Sequence, residues 1–224
     1  MSDHPLIEIF PALSSIEGLV HGFTLRHPEI DVKTDREVAI ARLEDHFCDC
    51  LSSLGISRDR VATGQQVHGN HVEIVAGHSL PGSPHFEETD GLATSVEGQY
   101  LGIFVADCGA VFIADPVKKA CAMLHSGKKG TELEITTEAI LKMQAEFGSD
   151  PADIVVQLAP CIRPPAYEID FARKIVSDAI AAGVPETQVH DCGICTTSDL
   201  DRYYSYRFEK GKTGRLFGII GWSA

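Results

Sequence analysis

The stretch ADCGAVFIADPVKKACAMLHSGKKGT, residues 106–131, holds two apolar runs, AVFIA (110–114) and ACAML (120–124), joined by Asp115-Pro116-Val117-Lys118. Asp at the first position and Pro at the second suit a type I turn. The two runs are therefore expected to fold back as an antiparallel hairpin. With Asp115 paired to Lys118, each later pair keeps that register, and Cys108 falls opposite His125. Opposed residues of an antiparallel pair hold their β-carbons about 4.5–5.5 Å apart on one face. One ion bonded at roughly 2.3 Å to sulfur and 2.0 Å to nitrogen bridges such a gap. A bulge or a three-residue loop would shift this register. The bland alternative is a buried small cysteine beside a satisfied strand-end histidine.

A catalytic zinc with an open position takes three protein ligands. The segment GQQVHGNHVEIV offers His68 and His71, three residues apart. His68 precedes a glycine in a loop entering a strand, where functional residues concentrate. His71 lies inside the strand pattern and reads as structural. Downstream of His125, SGKKGTE leads into a predicted helix, so Lys128 and Lys129 beside a helix start could hold a phosphate or carboxylate. No nucleoside-triphosphate loop is present, and GKTGR (211–215) lacks the strand–loop–helix frame such a loop needs.

Outward from the hairpin, the pattern predicts three helices. One starts at the capping box Thr34-Asp35-Arg36-Glu37 and puts Ile40, Leu43, Phe47, Leu51 and Leu54 on one face before Gly55. A second starts at Thr131-Glu132-Leu133-Glu134 and stacks Leu133, Ile140 and Phe147. The third spans about 170–182, with Phe171, Ile175, Val176 and Ala179 inward. Further strand-like runs are HVEIV (71–75), YLGIFVA (100–106), DIVVQLA (153–159) and RLFGIIGW (215–222). Consecutive strands over 100–124 are expected to pair antiparallel. The expected fold class is α+β, a layered sandwich of mixed, largely antiparallel sheets flanked by helices. One domain over 1–224 is expected, with the polar stretch 77–91 as a long excursion rather than a boundary.

The 224 residues suffice for a real core, and a net charge of −13 argues against a nucleic-acid binder or an anionic membrane surface. It leaves room for a locally basic pocket that takes a small anion. MSDHPLIEIFPAL has neither a basic leader nor an apolar core, and no apolar run approaches the roughly 20 residues of a membrane helix. A cytoplasmic protein is expected. Seven cysteines, an odd number at low density, read as reduced thiols. CGIC (192–195) lacks a second pair. CIRPPAYEID (161–170) offers Arg163, Tyr167 and Glu168 to a pocket, and Asp90 is either a strand-start cap or a pocket acid. No nucleophile elbow marks a serine hydrolase.

HGFTLR (21–26), QQVHGNHV (65–72), TDGLAT (89–94), ADCGAVFIADP (106–116), AMLHSGKKGT (122–131), APCIRPPAYEI (159–169), CTTSD (195–199) and YYSYRFEKGKTGR (203–215) occur in this order. The series resembles the polyphenol-oxidase or laccase-domain family, also called the YfiH family, over nearly the whole chain. The resemblance implies a layered α/β sandwich and a metal site built from His68, Cys108 and His125. It implies zinc-dependent chemistry on purine nucleosides: phosphorolysis of adenosine, inosine or methylthioadenosine, with deamination of adenosine as a further activity. An older label for the family is copper-dependent polyphenol oxidase, and some members are linked to editing of peptidoglycan precursors. The chain departs from the family where H-A-G-W-R-G is replaced by His125-Ser126-Gly127-Lys128-Lys129-Gly130.

On that resemblance, His68, Cys108 and His125 are both the metal ligands and the catalytic centre. Arg26, Lys128, Lys129 and Arg207 are candidates for the phosphate or substrate, with Tyr167 in the pocket and Asp90 or Glu168 as the acid. The partners are a small nucleoside and phosphate, and the sequence specifies no oligomeric state. Three alternatives use the same residues: an amide hydrolase with Cys108 as nucleophile and His125 as base, a copper oxidase, and a non-catalytic metal-binding protein.

Overall fold

The computed structural model describes residues 6–77 and 85–224; residues 78–84 of the polar excursion over 77–91 lie outside them. Two six-stranded sheets carry the architecture. The first runs β1 (Ile7–Glu8), β2 (Leu19–Thr24), β12 (Leu216–Trp222), β7 (Tyr100–Val105), β3 (Val61–Gly64) and β5 (His85–Phe86). The second runs β11 (Val189–Asp191), β10 (Val155–Leu158), β8 (Gly109–Asp115), β9 (Ala120–Ser126), β6 (Gly91–Thr94) and β4 (Val72–Ile74). Both are mixed: β3 runs parallel to β7 and β4 parallel to β6, while β8–β9 and β12–β7 are antiparallel.

The sheets pack face to face because β8 and β9 are apolar on both sides. Phe112 and Met123 join a core with Leu101, Ile103 and Ile220 of the first sheet. Val111, Ile113 and Leu124 point the other way, into a second core with α4 (Ile135–Phe147) and α5 (Phe171–Ala181). The far side of the first sheet is covered by α2 (Arg36–Ser53), whose Phe47 ring lies 5.5 Å from Phe104 and 5.3 Å from Phe217. Truncating a buried Phe such as this to Ala costs about 3–5 kcal/mol. The result is a helix–sheet–sheet–helix sandwich, with short helices α1 (Pro11–Ser14) and α3 (Lys128–Glu132) at its ends. Among the described residues, no helix is long and apolar enough to cross a membrane.

Local chemistry departs from the sequence-based expectation in four places. The β8–β9 hairpin closes at Asp115↔Ala120, so the loop has four residues and Ala110, not Cys108, opposes His125. Asp115 Oδ1 accepts from the amides of Val117 and Lys118, and Lys119 takes a left-handed φ of 49°, which lengthens the turn. The shift is two residues, so facing is preserved. Second, β7 does not pair with β8. The chain crosses between sheets at Asp107, whose φ is 80°. Third, the cap of α2 is Asp35 rather than Thr34, its carboxylate accepting from Val38 N. Fourth, no capping box forms at Thr131: Glu134, at φ 60°, separates α3 from α4, and Leu133 is exposed. Thr131 instead bonds Ser126 Oγ and Gly127 O, each at 2.8 Å.

Candidate active site

One end of the sandwich collects the chemistry. β3, β7 and β9 finish there, and β6, β8 and β12 begin there, as their registers require. The loop after β3 supplies His68, the crossing after β7 supplies Cys108, and the end of β9 supplies His125. Their ligand atoms all lie within 4.8 Å of one another. The rings of His68 and His125 meet edge to face at a centroid distance of 4.8 Å. Among the described residues this is the one group of three or more His, Cys, Asp or Glu side chains suited to a metal ion.

Asp90 organises two of the three. Fully buried just before β6, it accepts from the amides of Val67, His68 and Gly69 at 3.0, 2.9 and 2.7 Å. Those bonds hold His68 at φ 62°, a left-handed conformation that costs a non-glycine residue roughly 1–2 kcal/mol. The Asp90 Oδ1 atom also lies 2.7 Å from His125 Nδ1. A carboxylate on one ring nitrogen fixes the tautomer and turns the other nitrogen toward a metal, as in carboxylate–histidine–metal groups. Burial raises the Asp90 pKa, yet bonds from His125 and from the Gly69 and Val67 amides outweigh it and hold the carboxyl ionised. Burial likewise opposes ionisation of Cys108, but His125 and His68 bring the thiol down to about 6. His125 is raised to about 9, against its burial, by Cys108 and Asp90.

The donor set fits a borderline-soft divalent ion: one thiolate and two imidazoles, with a side left open to the cavity. Gly127 keeps that space clear. A β-carbon there would lie 2.6 Å from Cys108 Sγ and 3.6 Å from His68 Cδ2.

The three groups open into a cavity of about 880 Å³. Phe104, Ile162, Tyr167, Phe171 and Tyr206 supply its apolar lining, and Arg36, Lys128, Arg207, Lys210 and Arg215 bring positive charge. On a chain of net charge −13, this is a locally basic pocket. Asp107 also lines it, but its carboxylate is consumed by Thr196 Oγ1 at 2.6 Å, Ser205 Oγ at 3.0 Å and the Arg207 amide at 2.6 Å. Those bonds tie the 205–207 turn to the residue preceding Cys108.

The sequence-predicted substrate residues divide. Lys128, Tyr167 and Arg207 line the cavity, and Lys129 does not. Arg26 is engaged elsewhere: it pairs with Glu209 at 2.6 Å and stacks 4.5 Å above the Tyr204 ring. Glu168 is exposed and pairs with Arg207 at 3.1 Å. Asp90 sits behind His125 rather than in the cavity. His71 pairs with Glu73 at the surface. All seven cysteines are free thiols, and Cys195 accepts from the Arg163 amide at 3.3 Å. Sequence reasoning missed Arg36, Gln66, Tyr206, Lys210 and Arg215. Their only sequence signals were a helix first turn and the motif series that Arg215 closes.

A family model described as "Multi-copper polyphenol oxidoreductase laccase" matches residues 31–178 and 168–223. Purine nucleoside phosphorylase YlmD of Bacillus subtilis is 28% identical over 242 residues, spanning 92% of this chain and 82% of the relative. Purine nucleoside phosphorylase SCO2081 of Streptomyces coelicolor is 31% identical over 193 residues, spanning 75% of this chain and 77% of the relative. The crystal structure of the hypothetical protein YfiH of Bacillus licheniformis superposes with a TM-score of 0.85 at 21% identity. That match covers 99% of this chain and 98% of the other.

Proposed function

The chain belongs to the family described as multi-copper polyphenol oxidoreductase laccase, and from that premise we propose that it is a zinc-dependent purine nucleoside phosphorylase. The observation that carries the proposal is the junction of His68, Cys108 and His125 with a basic, aromatic-lined cavity. Two relatives named purine nucleoside phosphorylase support it. Adenosine, inosine and methylthioadenosine are the proposed substrates.

Zinc held by the three groups supplies Lewis acidity and acidifies water toward a pKa of about 7, chemistry that a deaminase activity on adenosine would also draw on. The remaining work falls to the chain's own residues. Asp90 holds His125 in one tautomer and keeps the His68 loop in register. Tyr167, Phe171 and Tyr206 offer flat apolar surface to a purine, a role the family's missing tryptophan would otherwise fill. In phosphorolysis an oxygen of hydrogen phosphate bonds to C1′ of the sugar as the C1′–N9 bond breaks. The electron pair leaves on the base, and the proton carried by the phosphate ends on it. This balance needs no protein carboxylic acid, which fits an Asp90 fully occupied by hydrogen bonds and a Glu168 paired at the surface.

Zinc-loaded protein incubated with inosine and phosphate is expected to release hypoxanthine and ribose 1-phosphate, and His68→Ala is expected to abolish the release. No hypoxanthine above that control would overturn the proposal. A multi-copper oxidase is disfavoured, since among the described residues only one ligand group exists.

One observation favours a second reading. Cys108, His125 and Asp90 form a thiol–imidazole–carboxylate series, the arrangement of a cysteine nucleophile with an oriented base. Such a centre would act on amides, as in editing of peptidoglycan precursors. Activity on an amide that persists after chelation and is lost on alkylation would select it; amide activity lost on chelation rejects it.

A further inference from the structure

Arg36 and Arg215 enter the cavity from opposite parts of the chain, the first residue of α2 and the residue preceding β12. Neither guanidinium pairs with a carboxylate among the described residues, whereas Arg26, Arg163, Arg202 and Arg207 all do. Arg215 is 8% exposed and Arg36 half-buried. Water is largely excluded from Arg215, and a charge withdrawn from solvent without an ion-pair partner is costly.

Both side chains are held ready by neutral partners. Arg36 Nη2 donates to Gln66 Oε1 at 3.3 Å. Gln66 is itself pinned, donating to Phe104 O at 2.7 Å and accepting from Phe104 N at 3.1 Å. Arg215 Nη1 donates to Thr213 O at 3.0 Å and Gly214 O at 2.9 Å. These bonds leave other N–H groups of each fork for a ligand. The acids lining the same cavity form no ion pair with either arginine: Asp35 caps α2 through Val38 N, and the Asp107 carboxylate accepts from Thr196, Ser205 and the Arg207 amide. Burial lowers both arginine pKa values, more than Glu37 and Asp90 raise that of Arg36; at Arg215 the charge of Arg36 adds to the lowering, while Cys108, Tyr206 and Asp107 oppose it.

We propose that Arg36 and Arg215 form the phosphate subsite of this cavity, taking inorganic phosphate as the co-substrate beside the His68–Cys108–His125 centre. The assignment rests on the phosphorylase reading and moves the anion from the lysines after His125 to two guanidinium forks. A tetrahedral dianion matches them because each fork can grip two of its oxygens.

Calorimetric titration of inorganic phosphate into the zinc-loaded protein tests this directly. Arg36→Gln and Arg215→Gln are each expected to weaken phosphate binding tenfold or more. In turnover they should raise KM for phosphate by a similar factor while moving KM for inosine less than twofold, and Arg36→Lys should recover part of the loss. Unchanged thermal unfolding identifies variants that fold, and the less buried Arg36 remains informative if Arg215→Gln does not. Phosphate affinity within twofold of wild type in a folded Arg36→Gln protein overturns the proposal. So does arginine-dependent binding of inosine 5′-monophosphate without binding of inorganic phosphate, which would make the forks a nucleotide site. Arginine-dependent phosphate binding with no nucleoside turnover supports the subsite and removes the phosphorylase reading. Turnover with phosphate KM unmoved in both variants does the reverse.

Discussion

The Asp90 carboxylate lies 2.7 Å from His125 Nδ1 while also accepting from the amide of His68, so one buried acid sets the posture of two histidines 57 residues apart in sequence by its own bonds. Replacing it separates electrostatic support from the ligands themselves. Asp90→Asn keeps the size but loses the charge and cannot accept at every position. Zinc affinity, measured by competition with a chromogenic chelator, is expected to fall 10–100-fold, the range seen when a ligand's supporting carboxylate is removed. Affinity unchanged within twofold would remove Asp90 from the centre.

Gly127 has φ −88° and ψ −173°, ordinary extended backbone that any residue adopts. Gly127→Ala therefore adds no backbone strain, but its β-carbon would fall 2.6 Å from Cys108 Sγ. Bound zinc per chain, read by elemental analysis, should drop sharply, while far-ultraviolet dichroism stays that of the wild type. Full zinc occupancy in this variant would contradict the crowded geometry.

His21 supplies a pH signature for the fold. Its Nε2 accepts from Phe10 N at 2.9 Å, so the ring is neutral, and burial lowers its pKa to about 4. The unfolded chain binds a proton at about 6.5, so it takes up more protons than the native state between these values. Stability is complete above pH 6.5 and is lost as pH falls toward 4, by at most about 3 kcal/mol from this group. The urea midpoint should decline over that range, and His21→Gln should flatten the decline. An equally steep decline in the variant would assign the acid sensitivity elsewhere.

Thiol reactivity should be selective in metal-free protein. Cys108 is brought to about 6, whereas burial pushes Cys192 to about 11, Cys50 to about 12, and Cys121 and Cys161 upward. At pH 7 iodoacetamide is expected to modify Cys108 ahead of these four, located by peptide mass mapping, and zinc is expected to protect it. Protection is a property of a bound sulfur; undiminished alkylation of the zinc-loaded protein would point to a free nucleophile.

Much of this protein could be read from residue order alone. The strands of the hairpin, the apolar faces of α2 and α5, and the convergence of Cys108 with His125 follow from local periodicity and turn chemistry. Even the mistaken register left the cysteine and histidine on one face, because side-chain facing in a strand repeats every two residues. A loop position favours His68 over His71, but the bonds that aim it come from Asp90, 22 residues away.

Other features depend on contacts that no local pattern encodes. The passage of the chain from one sheet to the other at Asp107 is stabilised by Thr196, Ser205 and the Arg207 amide, roughly a hundred residues downstream. Arg36 and Arg215 carry no local signal of their role, because a guanidinium's function depends on which carboxylates reach it, and pairing is decided by folding. The same holds for Arg26, which motif position recommended and Glu209 claims. Residue order alone thus determined which segments form the layers and which side chains could ligate a metal. Tertiary packing decided which arginines in the cavity have no carboxylate partner among the described residues, since only the closed fold brings distant carboxylates within reach of some arginines and not others.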